Sequence, residues 1–210
     1  MAQEAKTVEG ANFHPIILVT AEVQDLGMVE LSTDDASLPY IDIHGVNSYR
    51  GKKFGIEKSN IFTQYKARSQ KPLLITEFGT DAWYVLDKDN PKDGEERQDL
   101  QAQYIGAAWD TILKYSLSGD DPNNGGIVFT YSDPWWQHDG SWSASCAAHD
   151  YDYVPNWPGF QPDGFVNEEW WGIVSIQIDH NNPSGLNIVT PREVYYELQK
   201  KLKSENSGKD

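Results

Sequence analysis

The chain is poor in the residues that build many specialised sites. It has one cysteine, Cys146, in 210 residues, so no internal disulfide forms and the redox compartment stays open. The paired-cysteine and His/Cys spacings of a zinc site are missing, and no metal or cofactor is expected. Positive charge is scarce: 17 Lys and Arg stand against 32 Asp and Glu, for a formal net charge of −15. With no basic stripe, nucleic acid and anionic membrane surfaces are poor partners. No apolar run approaches the length of a membrane span. The start, MAQEAKTVEG, lacks the apolar stretch of a signal peptide, a start that a cytoplasmic protein and a mature secreted one would share. The acidity favours neutral or cationic ligands without naming one.

What the chain does have is alternation. At 210 residues it is long enough for a single domain, residues 1–210, with a sizeable core. Strand patterns fall at His14 to Thr20, Ile41 to Asn47, Leu73 to Thr76 and Gly126 to Tyr131. Helical patterns fall at Val23 to Glu30, Asn60 to Arg68, Glu95 to Leu117 and Thr190 to Leu202. Thr190, Pro191 and Glu193 read as cap, first-turn proline and capping-box acid. Four strand–helix units in series predict an α/β fold with a parallel sheet and right-handed crossovers.

The segment KPLLITEFGTDAW, Lys71 to Trp83, carries the most chemistry. An apolar run leads into Glu77 and then Gly79, the pattern of a buried parallel strand that delivers a carboxylate at its carboxyl end. In α/β sheets and barrels that rim is where ligands bind. The ordinary alternative is a buried Glu satisfied by local hydrogen bonds, and the segment alone weighs the two equally.

Between the fourth strand and the last helix, residues 132–190 form a long irregular insert with six of the eight tryptophans: Trp135, Trp136, Trp142, Trp157, Trp170 and Trp171. So much aromatic surface does not fit disorder. Most of these rings read as packing. Trp135 and Trp136 directly follow the fourth strand, on the rim of Glu77, and read as a platform for sugar rings.

VNSYRG, KPLLITEFGTDAW and GGIVFTY, with HPIILVTAE before them, resemble the last strands of the catalytic barrel of glycoside hydrolase family 2 in clan A. The resemblance covers roughly Phe13 to Lys201. It implies half of a (β/α)8 TIM barrel, strands five to eight, with outer helices and a long Trp-rich loop. It also implies action on β-linked glycosides or glucans by a retaining mechanism. Glu77 falls on the nucleophile, Tyr49 on the tyrosine that hydrogen-bonds and orients it, and Asn47 on a supporting polar position. Asn47 and Tyr49 share a strand face, whereas His44 has the opposite parity and reads as a packed strand histidine. Where relatives carry tryptophan in the last strand, this chain has Phe129 and Tyr131, and Tyr131 joins Trp135 and Trp136 as a candidate for substrate contact.

The family's general acid/base, a Glu after an Asn at the end of strand four, has no counterpart here. A retaining glycosidase needs two carboxylates about 5–5.5 Å apart. Asp133, acting across a dimer, and Glu22, after the first strand, are the remaining candidates for acid/base; both also read as ordinary loop acids. Four parallel strands leave two open edges and an apolar inner face. The expected partners are therefore carbohydrate and either a second copy or a complementary half-barrel chain. The alternative reading is a non-catalytic, carbohydrate-binding half-barrel; the plainest is a truncated product held together by the tryptophan-rich loop.

Overall fold

A computed structural model of the chain describes residues 1–56, 60–90, 93–116, 121, 123–135, 154–155, 161–177, 179, 181–184 and 187–206. In order, the elements are α1 (Ala2–Glu9), β1 (Ile17–Thr20), β2 (Ile43–Asn47), α2 (Ile61–Lys66), β3 (Leu73–Phe78), β4 (Trp83–Val85), β5 (Gly94–Glu96), α3 (Gln98–Ser116), β6 (Asn123–Val128), β7 (Val154–Pro155), β8 (Phe165–Val166), β9 (Val174–Gln177), β10 (Ile188–Pro191) and α4 (Glu193–Asn206). Contacts divide the chain into two compact units: Met1–Phe78 with Trp109–Ile127, and Gly79–Ala108 with Val128–Asp210.

The first unit is built on a four-stranded parallel sheet in the order β1-β2-β3-β6, the sequential order that the alternation predicts. One face is sealed. Leu73, Ile75 and Phe78 of β3 and Val46 of β2 are buried, as are Ile61, Phe62 and Tyr65 of α2 and Ile112 of α3. Aromatic edges and stacks knit this layer: Phe54 meets Phe62 and Phe78 at 5.5 and 5.9 Å between centroids, and Phe62 stacks on Tyr115 at 4.4 Å. Gly126 lets β6 approach that layer, since a Cβ there would lie 2.6 Å from Ile112 Cδ1. The opposite face is open: Ile17, Val19 and Ile127 are 39, 47 and 53% exposed.

Several boundaries differ from the sequence reading, each for a visible reason. The expected helix from Val23 to Glu30 is two single 3-10 turns, Val23–Asp25 and Val29–Leu31. Gly27 lies between them at φ 70°, and a Cβ there would meet Arg68 Cβ at 2.7 Å. The α2 helix starts one residue in, at Ile61, because Asn60 caps it, Oδ1 accepting from Thr63 N at 2.9 Å. The last strand ends at Val128 rather than Tyr131. Beyond it, Ile173 N donates to Thr130 O and Val174 N to Tyr131 O, both at 3.0 Å. Glu95 and Glu96 belong to β5, which pairs antiparallel with β4, so α3 starts only at Gln98. Thr190 and Pro191 pair with Ser175 and Val174, and α4 starts at Glu193.

His44 is a packed histidine, as its parity requires. It is fully buried beneath Tyr65, whose hydroxyl lies 3.1 Å from His44 Nδ1. Burial lowers its pKa from 6.5, against the nearby Asp35 and with Lys71 adding to the lowering. Burial also pushes the Tyr65 hydroxyl up to about 12. Because the folded protein binds fewer protons at His44 than the unfolded chain does, this group favours folding above pH 6.5 and loses that contribution as pH falls through its lowered pKa. Urea melts from pH 7.5 to 5 should show a falling stability that His44→Gln flattens. An unchanged slope in that variant would assign the titration elsewhere.

The second unit is held by antiparallel pairs, β4 with β5, β7 with β8 and β9 with β10. Trp170 and Trp171 are buried in it, 8 and 3% exposed, as packing rings should be. Trp83 tilts against Trp170 at 4.9 Å. Gln101 Nε2 bridges the carbonyls of Thr80, Trp170 and Gly172 at 3.2–3.4 Å. Among the described residues, no helix is long and apolar enough to cross a membrane, and no cluster of three or more His, Cys, Asp or Glu is placed to hold a metal.

Candidate functional site

The site starts from a break in register. β2 and β3 pair His44 with Leu73, Gly45 with Leu74 and Val46 with Ile75, but then Asn47 with Glu77. One extra residue, Thr76, is fitted into β3. Strict alternation would send the Glu77 side chain to the sealed face with Leu73 and Ile75. The bulge reverses the parity, so Glu77 joins the open face and Phe78 returns to the core. The main chain follows the shift, Ser48 N donating to Glu77 O at 2.8 Å.

On the open face the side chains interlock. Tyr49 Oη donates to Glu77 Oε2 at 2.8 Å. One residue back in β3, Thr76 Oγ1 donates to Asn47 Oδ1 at 2.7 Å. A hydroxyl donating to a carboxylate contributes about 1.5–3 kcal/mol, about twice a neutral bond. Gly45 keeps this face flat, because a Cβ there would lie 2.8 Å from Thr76 Cγ2 and 2.9 Å from Val19 Cγ2. Of the three residues expected to act together, Tyr49 and Glu77 are hydrogen-bonded, while Asn47 is the register partner of Glu77 with its side chain bonded to Thr76. The missed member is Thr76; its only sequence signal is a polar residue directly before the carboxylate.

The acid/base candidates are placed differently. Glu22 follows β1 at the same end of the sheet and is ion-paired with Arg50, which follows Tyr49 in sequence. Its carboxylate is 43% exposed but committed to a guanidinium. Asp133 is 1% exposed, in a buried network with Arg192, itself fully buried. Arg192 Nη1 and Nη2 donate to the two Asp133 oxygens at 2.5 and 2.9 Å, and Gly172 N donates to Oδ1 at 2.9 Å. Arg192 Nε reaches Glu96 Oε1 at 2.8 Å, and Nη1 also reaches Gly172 O. A carboxylate enclosed in this way cannot reach a glycosidic oxygen, so the trans-acid expectation for Asp133 gives way to a structural ion pair. Of the aromatic candidates, Tyr131 is 64% exposed, whereas Trp135 is 8% exposed and so offers little of its ring to a sugar. Trp136, Trp142 and Trp157 lie outside the described residues.

No protein-family model matches the chain, and no curated protein sequence matches it. Among solved structures it is similar to a GH2 β-galacturonidase from Eisenbergiella tayi bound to glycerol, at 16% identity with a TM-score of 0.50. The likeness covers 97% of this chain and 29% of that one. The same enzyme bound to galacturonate gives 16% identity and 0.49, and a Ruminococcus gnavus β-glucuronidase 14% and 0.46. The chain thus spans less than a third of the length of the enzymes it resembles. At these identities the likeness concerns the fold: a parallel α/β sheet found as part of a glycoside hydrolase.

Proposed function

We propose that the chain carries the nucleophile half of a retaining β-glycosidase, with Glu77 as the attacking carboxylate. The observation behind this reading is the Tyr49–Glu77 hydrogen bond on the open sheet face, reached only through the bulge at Thr76. In the proposed mechanism a Glu77 oxygen forms a bond to the anomeric carbon as the glycosidic C–O bond breaks. A separate acid gives its proton to the departing oxygen. Water then attacks the glycosyl-enzyme, losing a proton to that same group acting as base, and the sugar leaves with its configuration retained. Tyr49 orients the carboxylate, and Thr76 with Asn47 holds the strand that carries it.

With Asp133 buried and Glu22 paired to Arg50, the acid/base comes in this reading from a complementary chain, one whose strands cover Ile17, Val19 and Ile127. Solution mass, alone and with candidate partners, tests that part. The test of chemistry is a panel of chromogenic β-glycosides, β-uronides included because the similar structures are a galacturonidase and glucuronidases, together with β-glucans. Tyr49→Phe should lower kcat/KM roughly tenfold to a hundredfold, the kinetic equivalent of about 1.5–3 kcal/mol lost from one charge-assisted bond. An unchanged kcat/KM would remove Tyr49 from the site. The alternative, a carbohydrate-binding module without turnover, is favoured by the absence of an identified acid; binding of the same sugars without hydrolysis would support it.

A further inference from the structure

We propose that the turn after Tyr49, Arg50 to Gly55, binds acidic glycans: chains of β-linked sugars that carry carboxylate or sulfate groups. The inference rests on the reading of Glu77 as the attacking carboxylate, since it names the substrate class of that site. Arg50, Lys52 and Lys53 put three cations into four residues of a chain whose formal net charge is −15. They follow directly on Tyr49, whose hydroxyl holds Glu77. Lys52 and Lys53 are three and four residues past Tyr49, so the chain keeps their Cα atoms within about 15 Å of its own.

The turn is built to present these charges rather than to pair them. Phe54 is buried among Phe62 and Phe78 and anchors it, at φ 55°, a conformation that a bulky side chain rarely takes. Gly51 and Gly55, at φ 77° and 110°, bend the backbone on either side. Phe54 N donates to Gly51 O and Gly55 N to Arg50 O, both at 2.9 Å, and Thr111 Oγ1 of α3 donates to Lys52 O at 2.9 Å. Arg50 is held at the inner end by Glu22, with Gln24 Oε1 at 3.4 Å. Lys52 and Lys53 are exposed, and among the described residues neither side chain has an ion-pair or hydrogen-bond partner. Other cations of this acidic chain are taken up by acids, Lys6 by Asp42, Lys66 by Asp121 and Arg97 by Asp99. Screening leaves an approaching anion to feel charges within about 8 Å, so these lysines outweigh the remote acids. The overall acidity, read as favouring neutral or cationic ligands, is thus reversed locally. A nucleic acid, with one charge per about 1.7 Å of duplex, suits so small a patch poorly. An acidic glycan spaces its charges by whole sugars, and one sugar of it can occupy the Glu77 site while a neighbouring anionic group meets the lysines.

The test measures binding of the full chain to β-linked polymannuronate, to a sulfated β-glucan and to the same β-glucan without sulfate. The expected result is binding to a charged polymer that exceeds binding to the neutral one and weakens as salt rises; the better of the two charged polymers tells carboxylate from sulfate. The double variant Lys52→Gln, Lys53→Gln should weaken that binding about tenfold, and Lys52→Arg, Lys53→Arg should keep it. The thermal midpoint should hold in both, because Thr111 grips the Lys52 carbonyl and not its side chain. Undiminished binding by the Gln variant, or wild-type binding to the neutral glucan as tight as to the charged polymers, would overturn the inference. So would equally tight binding of single-stranded DNA of matched charge, which would make the turn a general polyanion patch. Turnover of neutral β-glycosides without binding of either charged polymer overturns the inference and leaves the role of Glu77 standing. Lysine-dependent binding of a charged polymer without turnover of any substrate supports the turn and counts against the glycosidase reading alone.

Discussion

Glu77→Gln is expected to abolish turnover of any β-glycoside the protein hydrolyses, lowering kcat by about 10⁴-fold or more, equivalent to about 5.5 kcal/mol of transition-state stabilisation. The amide cannot form the glycosyl-enzyme, so the first half-reaction has no acceptor for the anomeric carbon. The fold should survive. The Gln oxygen still accepts from the Tyr49 hydroxyl, and the bulge is held by Thr76 and Asn47, which the substitution leaves intact. Stability is therefore expected within about 1 kcal/mol of wild type, as for most half-buried isosteric changes. Kinetics and urea unfolding on the same preparation separate the two effects. NMR of the first product anomer should show retention in the wild type. A variant with full activity, or an inverted product, would show that Glu77 is not the nucleophile.

The second large effect is on stability. Asp133→Ala removes the partner of a fully buried arginine, and breaking a buried pair from one side costs about 3–5 kcal/mol because the remaining charge is uncompensated. In a chain of this size each kcal/mol moves the thermal midpoint by about 2–4 °C, so a fall on the order of 10 °C is expected. The double variant Asp133→Ala, Arg192→Met should lose less than the two single losses combined, since it no longer buries a lone charge. Loss of less than about 1 kcal/mol in Asp133→Ala would mean that the pair is not buried as the structure shows. The same series separates the two roles considered for Asp133: an ion-pair partner changes the midpoint, whereas a catalyst would change turnover in a stable protein.

Tyr49 links the kinetic and structural arguments. Its hydroxyl is useful only because Glu77 is on its face of the sheet, and Glu77 is there only because β3 carries one residue more than β2 at that point. Thr76 is therefore as much a part of the arrangement as the carboxylate, although nothing in its chemistry marks it in the sequence.

Local pattern alone determined a good deal about this protein. Short apolar runs alternating with helical patterns placed the four parallel strands, and the apolar lead into Glu77 put a carboxylate at the end of the third of them. Parity along β2 puts Asn47 and His44 on opposite faces; in the structure Asn47 accepts from Thr76, and His44 lies against Tyr65. These are properties of a few adjacent residues, and side-chain direction in a strand is a local quantity. The tertiary structure decided what depends on distant partners. The register slip that turns Glu77 outward arises from pairing two strands, and neither strand signals it alone. Thr190 and Pro191 look like a helix start, yet backbone pairing with Ser175 and Val174 draws them into β10. Asp133 looks like a loop acid available to a ligand, yet an arginine 59 residues away encloses it. Glu95 and Glu96 suit a helix, yet they close a hairpin with Trp83 and Tyr84. In each case a local preference of a fraction of a kcal/mol met a non-local network of hydrogen bonds or ion pairs, and the network, stronger by several-fold, set the structure.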